Sequence, residues 1–233
     1  KNRNATKYKG FSDWRLPNVN ELESLFMNYP AGQAPHVYLA SQGFSGVYDM
    51  GYWTSTTSAY YYGDPGNIHQ YYSVYYVAPG YGVYAYNKIQ GNLYLLAVRG
   101  KTRGPAQVPR TGITICTDSI GTIIPCAGTG QDGELQEGVA WPAERFTTVY
   151  CSSTGLCPDQ DSDCDANAAT DAVRDNLTNR MWSRNASFLG SDGTTWQQVL
   201  ASVQTLNGSG GLCGHTDWRL PNQKEFISLV DYS

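Results

Sequence analysis

One stretch of this chain occurs twice, as GFSDWRLPNVNELESLF over residues 10–26 and as GHTDWRLPNQKEFISLV over residues 214–230. Without gaps the copies agree at 10 of 17 positions, and the matched Asp13 and Asp217 lie 204 residues apart. Agreement of that length obliges the two ends of the chain to build one local structure twice. In the first copy Trp14 and Leu16 alternate with Asp13 and Arg15, which predicts a short strand, and Pro17 ends it by supplying no amide donor. Asn18 and Glu21 then form a capping box in Asn-x-x-Glu form that opens a helix. Leu22, Leu25 and Phe26 follow at i, i+3 and i+4, so one face of that helix is apolar. In the second copy the cap is Asn222 with Glu225, and the apolar face is Phe226, Leu229 and Val230. We expect the repeated unit to be structural, a buried Trp with an Asp/Arg pair tying strand to helix; a ligand clamp made by the same Asp, Trp and Arg is the alternative.

DWRLPN followed by E-(L/F)-x-S-L resembles the hallmark of the Lcl C-terminal domain family of bacterial surface proteins, in the C-type-lectin-like group. Further matches are YWTSTTS at 52–58, LLAVRG at 95–100, GVAWPAERF at 138–146, DNLTNRMWSRNA at 175–186 and TWQQVL at 195–200. In the family the GVAWP-like segment comes first and VRG last, whereas here residues 1–104 resemble the back half of a domain and residues 105–233 the front half, with a Cys-rich insertion. The order is permuted or that of a tandem fragment, and the sequence reads as starting and stopping within a domain. The resemblance implies an α+β, C-type-lectin-like fold with two main helices, twisted antiparallel sheets and long disulfide-linked loops.

The residues themselves support a sheet in the first part. YWTSTTSAYYY, YYSVYYVA, GVYAYNK and LYLLAVRG are aromatic and β-branched and are separated by Gly/Pro turns, which predicts antiparallel strands. NYPAGQAPHVYLASQGF reads as a loop, and residues 99–112 as a linker. Neighbours on a strand point to opposite faces, so Tyr71 with Tyr72, and Tyr75 with Tyr76, put aromatics on both sides. One side is core; the other packs across strands or meets protein or glycan. A further helix is predicted over 194–206, capped by Thr194 and Gln197, with Trp196, Val199, Leu200 and Val203 inward.

Charged residues make up 15% of the chain, below the usual quarter or so, while 18 Tyr and 25 Gly give it the composition of a secreted surface protein. All six cysteines, Cys116, Cys126, Cys151, Cys157, Cys164 and Cys213, fall in the second part, and their even number predicts three disulfides in an oxidising compartment. Cys116 and Cys126 bracket a hairpin-like TDSIGTIIP and are expected to pair. No apolar run approaches the ~18 residues of a membrane helix, and no signal peptide opens the sequence. Residues 1–104 carry 9 Lys/Arg against 5 Asp/Glu and residues 105–233 carry 7 against 15, so the parts are +4 and −8. An acidic chain without a basic stripe argues against nucleic acid.

Asp159, Asp161, Asp163 and Asp165 alternate like the first half of a calcium loop, but the turn glycine and the closing Glu are missing; the alternatives are Ca²⁺ or a solvated acidic loop held by Cys157 and Cys164. His36, His69 and His215 are scattered, and no nucleophile stands at a recognisable distance from a base. The oxidases of the same group use cysteines near the domain's end, where residues 1–104 have none. Sequons at Asn4, Asn176, Asn185 and Asn207 read as surface-loop composition. The resemblance implies a non-enzymatic extracellular role: a structural or adhesive protein that assembles with itself head to tail through the Phe226, Leu229, Val230 face and the Tyr-rich sheet, or alternatively a carbohydrate-binding module with polysaccharide as partner.

Overall fold

The computed structural model describes residues 4–26, 29–30, 32–58, 73–89, 91–100, 108–152, 155–156, 171–187, 189–190 and 193–232. Helices and antiparallel sheets are mixed along the chain, which divides into two units, Lys1–Ala140 with Val230–Ser233, and Trp141–Leu229. Tyr71, Tyr72, His69, Cys157, Cys164 and the run Asp159, Asp161, Asp163 and Asp165 lie outside the described residues.

In the first unit the repeated motif forms helix α1, Val19–Phe26, starting where the capping box predicts. Its inward residues Val19, Leu22 and Phe26 are buried, and so is Tyr52, whose ring lies 4.9 Å from that of Phe26. Full burial of side chains this size contributes roughly 1.5–3 kcal/mol each. They pack on an antiparallel sheet of β1, Tyr52–Thr57, β2, Ser73–Ala78, and β3, Gly82–Asn87, in that order. The β2–β3 register is unbroken from Ser73↔Asn87 to Ala78↔Gly82, whereas β1 is irregular between Trp53 and Thr57. Val77 and Tyr75 face the core, and Tyr76 faces away, opposite Trp53 and Tyr84. The expected first strand is reduced to one bridge, Arg15↔Val98, and LYLLAVRG likewise contributes only bridges, Tyr52↔Tyr94 and Arg15↔Val98.

Within the stretch read as a loop lies a helix, α2, Pro35–Ser41. Pro35 stands at its first turn, where the missing amide costs nothing and φ is already helical; the turn-rich flanks concealed it. Residues 108–140 belong to this same unit. They run as a strap: a hairpin of β4, Cys116–Thr117, and β5, Ile123–Ile124, closed by the Cys116–Cys126 disulfide as expected, then a short α3, Asp132–Leu135. Tyr232 is also part of this core, its ring 5.1 Å from Tyr75 and its amide donating to Thr111 O at 3.0 Å.

The second unit holds a sheet of β6, Phe146–Val149, β9, Ala172–Asp175, and β10, Arg180–Ser183, in the order β10-β9-β6, and a small pair, β7, Cys151–Ser152, with β8, Gly155–Leu156. Helix α4, Trp196–Gly208, begins one residue later than expected: Thr195, not Thr194, caps it, with Gln198 completing the box. That register turns Trp196 outward, 66% exposed, leaving Val203 buried and Val199 and Leu200 half-buried. Cys151 pairs with Cys213. Arg145 sits between the Trp141 and Phe146 rings, forks onto Asp175 at 2.8 and 3.2 Å and donates to Ser228 O. Last comes α5, Gln223–Ile227, the second copy of the motif helix.

Candidate functional site

The repeated motif builds the same bonded frame twice. Arg15 donates two hydrogen bonds to Glu21, 2.7 and 2.6 Å, and one to Leu16 O at 3.2 Å; Arg219 does the same to Glu225 and to Leu220 O. The Asn18 amide donates to Glu21 at 2.9 Å while Asn18 Oδ1 accepts from the Glu21 amide, and Asn222 and Glu225 repeat this at 2.8 and 3.0 Å. Ser24 and Ser228 each bond back to the carbonyl of that Glu at 2.7 Å. So the motif Arg ties strand to helix through the helix's own Glu, and the expected Asp/Arg pair is corrected: Asp13 instead receives Arg99 at 2.9 Å, with the Arg99 guanidinium 3.5 Å over Phe11. The Glu carboxylate three residues into the cap motif gains both a bidentate guanidinium and the amide of the cap Asn. Arg219, then the Asn222 amide, hold Glu225 down to about 2.

Duplication extends further back than the sequence identity. Asn4 clamps the Trp14 backbone, accepting its amide at 2.9 Å and donating to its carbonyl at 2.7 Å; Asn207 clamps Trp218 at 3.1 and 2.7 Å. Both indoles donate to a carbonyl six residues earlier, Tyr8 O at 3.1 Å and Leu212 O at 3.0 Å. The signal was present as an Asn-small-Thr/Ser triplet shortly before each DW, which reads as a sequon and hides the clamp.

What differs is the cover. Around the first copy, Val19 N donates to Thr56 Oγ1 at 3.0 Å, Ser55 N to Pro17 O at 2.8 Å, Asn18 Nδ2 to Glu137 O and Asn20 Nδ2 to Pro109 O, both at 2.9 Å. Sheet and strap together bury Leu22 to 2% and Phe26 to 1% exposure. The matching Phe226 and Val230 are 57% and 43% exposed, Leu229 is half-buried and Asn222 is exposed. Phe226 meets one ring, Trp182, at 5.9 Å.

Two further features stand out in the first unit. On the sheet's outer side Tyr76 stacks on Tyr84 at 5.6 Å and meets Tyr86 at 5.7 Å, and Tyr86 lies 6.0 Å from Trp53. Tyr84 is 48% exposed, so this aromatic row faces water. Between sheet and strap, Asp132 accepts from Thr56 at 2.8 Å and Thr111 at 2.6 Å, while Lys88 donates to Thr117 Oγ1 at 2.6 Å, Thr57 at 3.2 Å and Gln131 at 3.4 Å. Burial pushes Asp132 up and brings Lys88 down to about 8. Both groups serve docking of the strap; neither was read from the sequence, because residues 44 apart with no periodic pattern give no local signal.

Of the sequence-derived self-association residues, Tyr76 is on the outer row, Tyr75 is turned to the core, Phe226 and Val230 are exposed and Leu229 is half-buried. His36 pairs with Asp49 at 2.6 Å, and His215 belongs to a tight turn with Leu212. Among the described residues no group of three His, Cys, Asp or Glu is placed to hold a metal, and no helix is long and apolar enough to cross a membrane.

Comparison with curated proteins and with solved structures finds no match. The family model of the Lcl C-terminal domain matches residues 1–99 and 171–233, taking in both copies of the motif and the β1–β3 sheet. With more than half its length matched, the chain belongs to the Lcl C-terminal domain family.

Proposed function

We propose that the chain is a non-enzymatic structural or adhesive protein of the bacterial surface, extracellular and built of C-type-lectin-like bodies, that assembles head to tail into a filament or array. The observation that carries this reading is the uncovered twin: one motif helix is closed over by sheet and strap, while the other, with the same bonded frame, leaves Phe226 and Val230 in water. Apolar surface rimmed by polar groups marks an interaction site more often than it marks idle surface. The two disulfides suit an oxidising exterior.

Sedimentation at micromolar concentration in low and high salt tests this. Ordered polymers that shorten when Leu229 and Val230 are both changed to Asp support it, and a compact monomer under both conditions refutes it. The second reading, a carbohydrate-binding module, draws on the outer aromatic row, since rings with polar tips suit sugar faces. Glycan binding by a chain that stays monomeric would favour it. We also propose that no activity depends on a histidine or a thiol: His36→Ala, His69→Ala and His215→Ala should each leave assembly and adhesion within error of the parent chain.

A further inference from the structure

Within the first unit a lysine amine is held beside a carboxamide with which it can exchange. Lys88 directly follows β3, and its Nζ reaches toward the strap, donating to Thr117 Oγ1 at 2.6 Å, Thr57 Oγ1 at 3.2 Å, Thr117 O at 3.3 Å and Gln131 Oε1 at 3.4 Å. Among the described residues these partners are all neutral, and Asp118 acts on the amine by charge without a hydrogen bond to it. Burial brings the amine down to about 8, so a large share of it is unprotonated, and nucleophilic, in mildly alkaline solution. Gln131 stands at the N-cap of α3, yet its side chain makes no capping bond. It turns to the sheet instead, where Oε1 accepts from Thr57 Oγ1 at 2.8 Å and from the Thr117 amide at 3.2 Å, while Nε2 donates to Thr117 O at 2.8 Å. A carbonyl bond is about 1.23 Å long, so Nζ, 3.4 Å from Oε1, is at most about 4.6 Å from the Gln131 carbonyl carbon. A small turn of the carboxamide brings that carbon to the ~3–3.5 Å of a near-attack contact.

We propose that Lys88 and Gln131 join in an intramolecular isopeptide bond that fastens the strap covalently to the sheet. The neutral Nζ attacks Gln131 Cδ, forming the N–C bond, and the carbonyl π pair moves onto Oε1. Thr57 Oγ1 and the Thr117 amide are aimed at that oxygen and stabilise its charge as it develops. Both nitrogens donate to Thr117 O, which keeps them side by side while one Nζ proton passes to Nε2. The oxyanion then collapses, the Cδ–Nε2 bond breaks and ammonia leaves. Amine and carboxamide become a secondary amide and ammonia; nothing is oxidised or reduced and no co-reactant is consumed. Escape of ammonia into solvent draws the exchange forward. The bond forms only after folding has brought the end of β3 and the strap together, so a freshly folded chain carries the free amine and a matured one does not. Closure takes Lys88 out of titration, so any pH response of the amine belongs to the fresh chain. All four residues lie in one unit, and the bond is independent of whether chains assemble.

Mass spectrometry of the full chain tests this. The chain is folded with its disulfides formed, incubated in mildly alkaline buffer, then unfolded, reduced and its mass measured. The matured parent should be lighter than the fresh chain by one ammonia, and its digest should contain a branched peptide joining Lys88 to Gln131. Lys88→Arg, which keeps the charge and removes the nucleophile, and Gln131→Met should each abolish the mass loss and the branched peptide, with unchanged near-ultraviolet circular dichroism showing that they are folded. Thr57→Val should slow closure about a hundredfold, the usual loss for one oxyanion donor, and Thr57→Ser should restore the rate. A folded parent chain that keeps its full mass after prolonged incubation overturns the proposal whatever the variants do. Ammonia loss that maps to an asparagine overturns it as well, and so does a link from the Thr57 hydroxyl, which donates to the same oxygen.

Discussion

Gly133 is a residue whose absent side chain matters. A Cβ built there would lie 2.4 Å from Ile115 O and 2.9 Å from Cys116 Sγ, and the carbonyl belongs to backbone that the neighbouring disulfide holds. Gly133→Ala should therefore destabilise the first unit by about 1–3 kcal/mol, the usual cost of overpacking, seen as a lower urea midpoint. At this scale the sequence was informative where a residue acts on its near neighbours. Asn18, Glu21, Asn222 and Glu225 cap as their spacing says, and Cys116 finds Cys126 ten residues on. It was silent where the partner is remote: nothing local indicates that Asn18 also reaches Glu137, or that Tyr232 donates to buried Glu23 at 3.1 Å.

Among the elements, the strap depends on a lysine that burial disfavours. Lys88 is brought from 10.5 to about 8, chiefly by desolvation and against the opposing pull of Asp118. Between those values the folded chain binds fewer protons than the unfolded chain, so the first unit gains stability as pH rises from about 8 to 10.5 and loses that share as pH falls through 8. Lys88→Met should abolish this rise. The difference between the two proteins' urea midpoints, followed over the same pH range, isolates Lys88 from the tyrosines, whose raised pKa values act in the opposite direction. Strands β1, β2 and β3 were legible from their aromatic and β-branched residues and the turns between them, and the motif helices from their caps, whereas the β6, β9 and β10 sheet was not, and the strands expected at Trp14 and in LYLLAVRG form only bridges. Helix α2 is hidden because Pro35, which suits a helix's first turn, stands among turn residues, and the start of α4 is ambiguous by one residue because Thr194 and Thr195 offer equivalent hydroxyls.

For the whole molecule, the two units should unfold as separate events. The Cys151–Cys213 bond closes a 62-residue separation within the second unit alone. Changing both cysteines to Ser should lower one calorimetric transition by about 4 kcal/mol of loop-closure entropy and leave the other in place; movement of both transitions together would refute independent units. The Asn4 and Asn207 clamps carry a practical consequence for making this protein. Both asparagines sit in sequons, yet the nitrogen to which a glycan would attach is the one donating to a tryptophan carbonyl at 2.7 Å. A secretory host that adds sugar before the chain folds would therefore block the clamp in both copies of the motif, so material from such a host should be misfolded at both sites, whereas bacterial material should not.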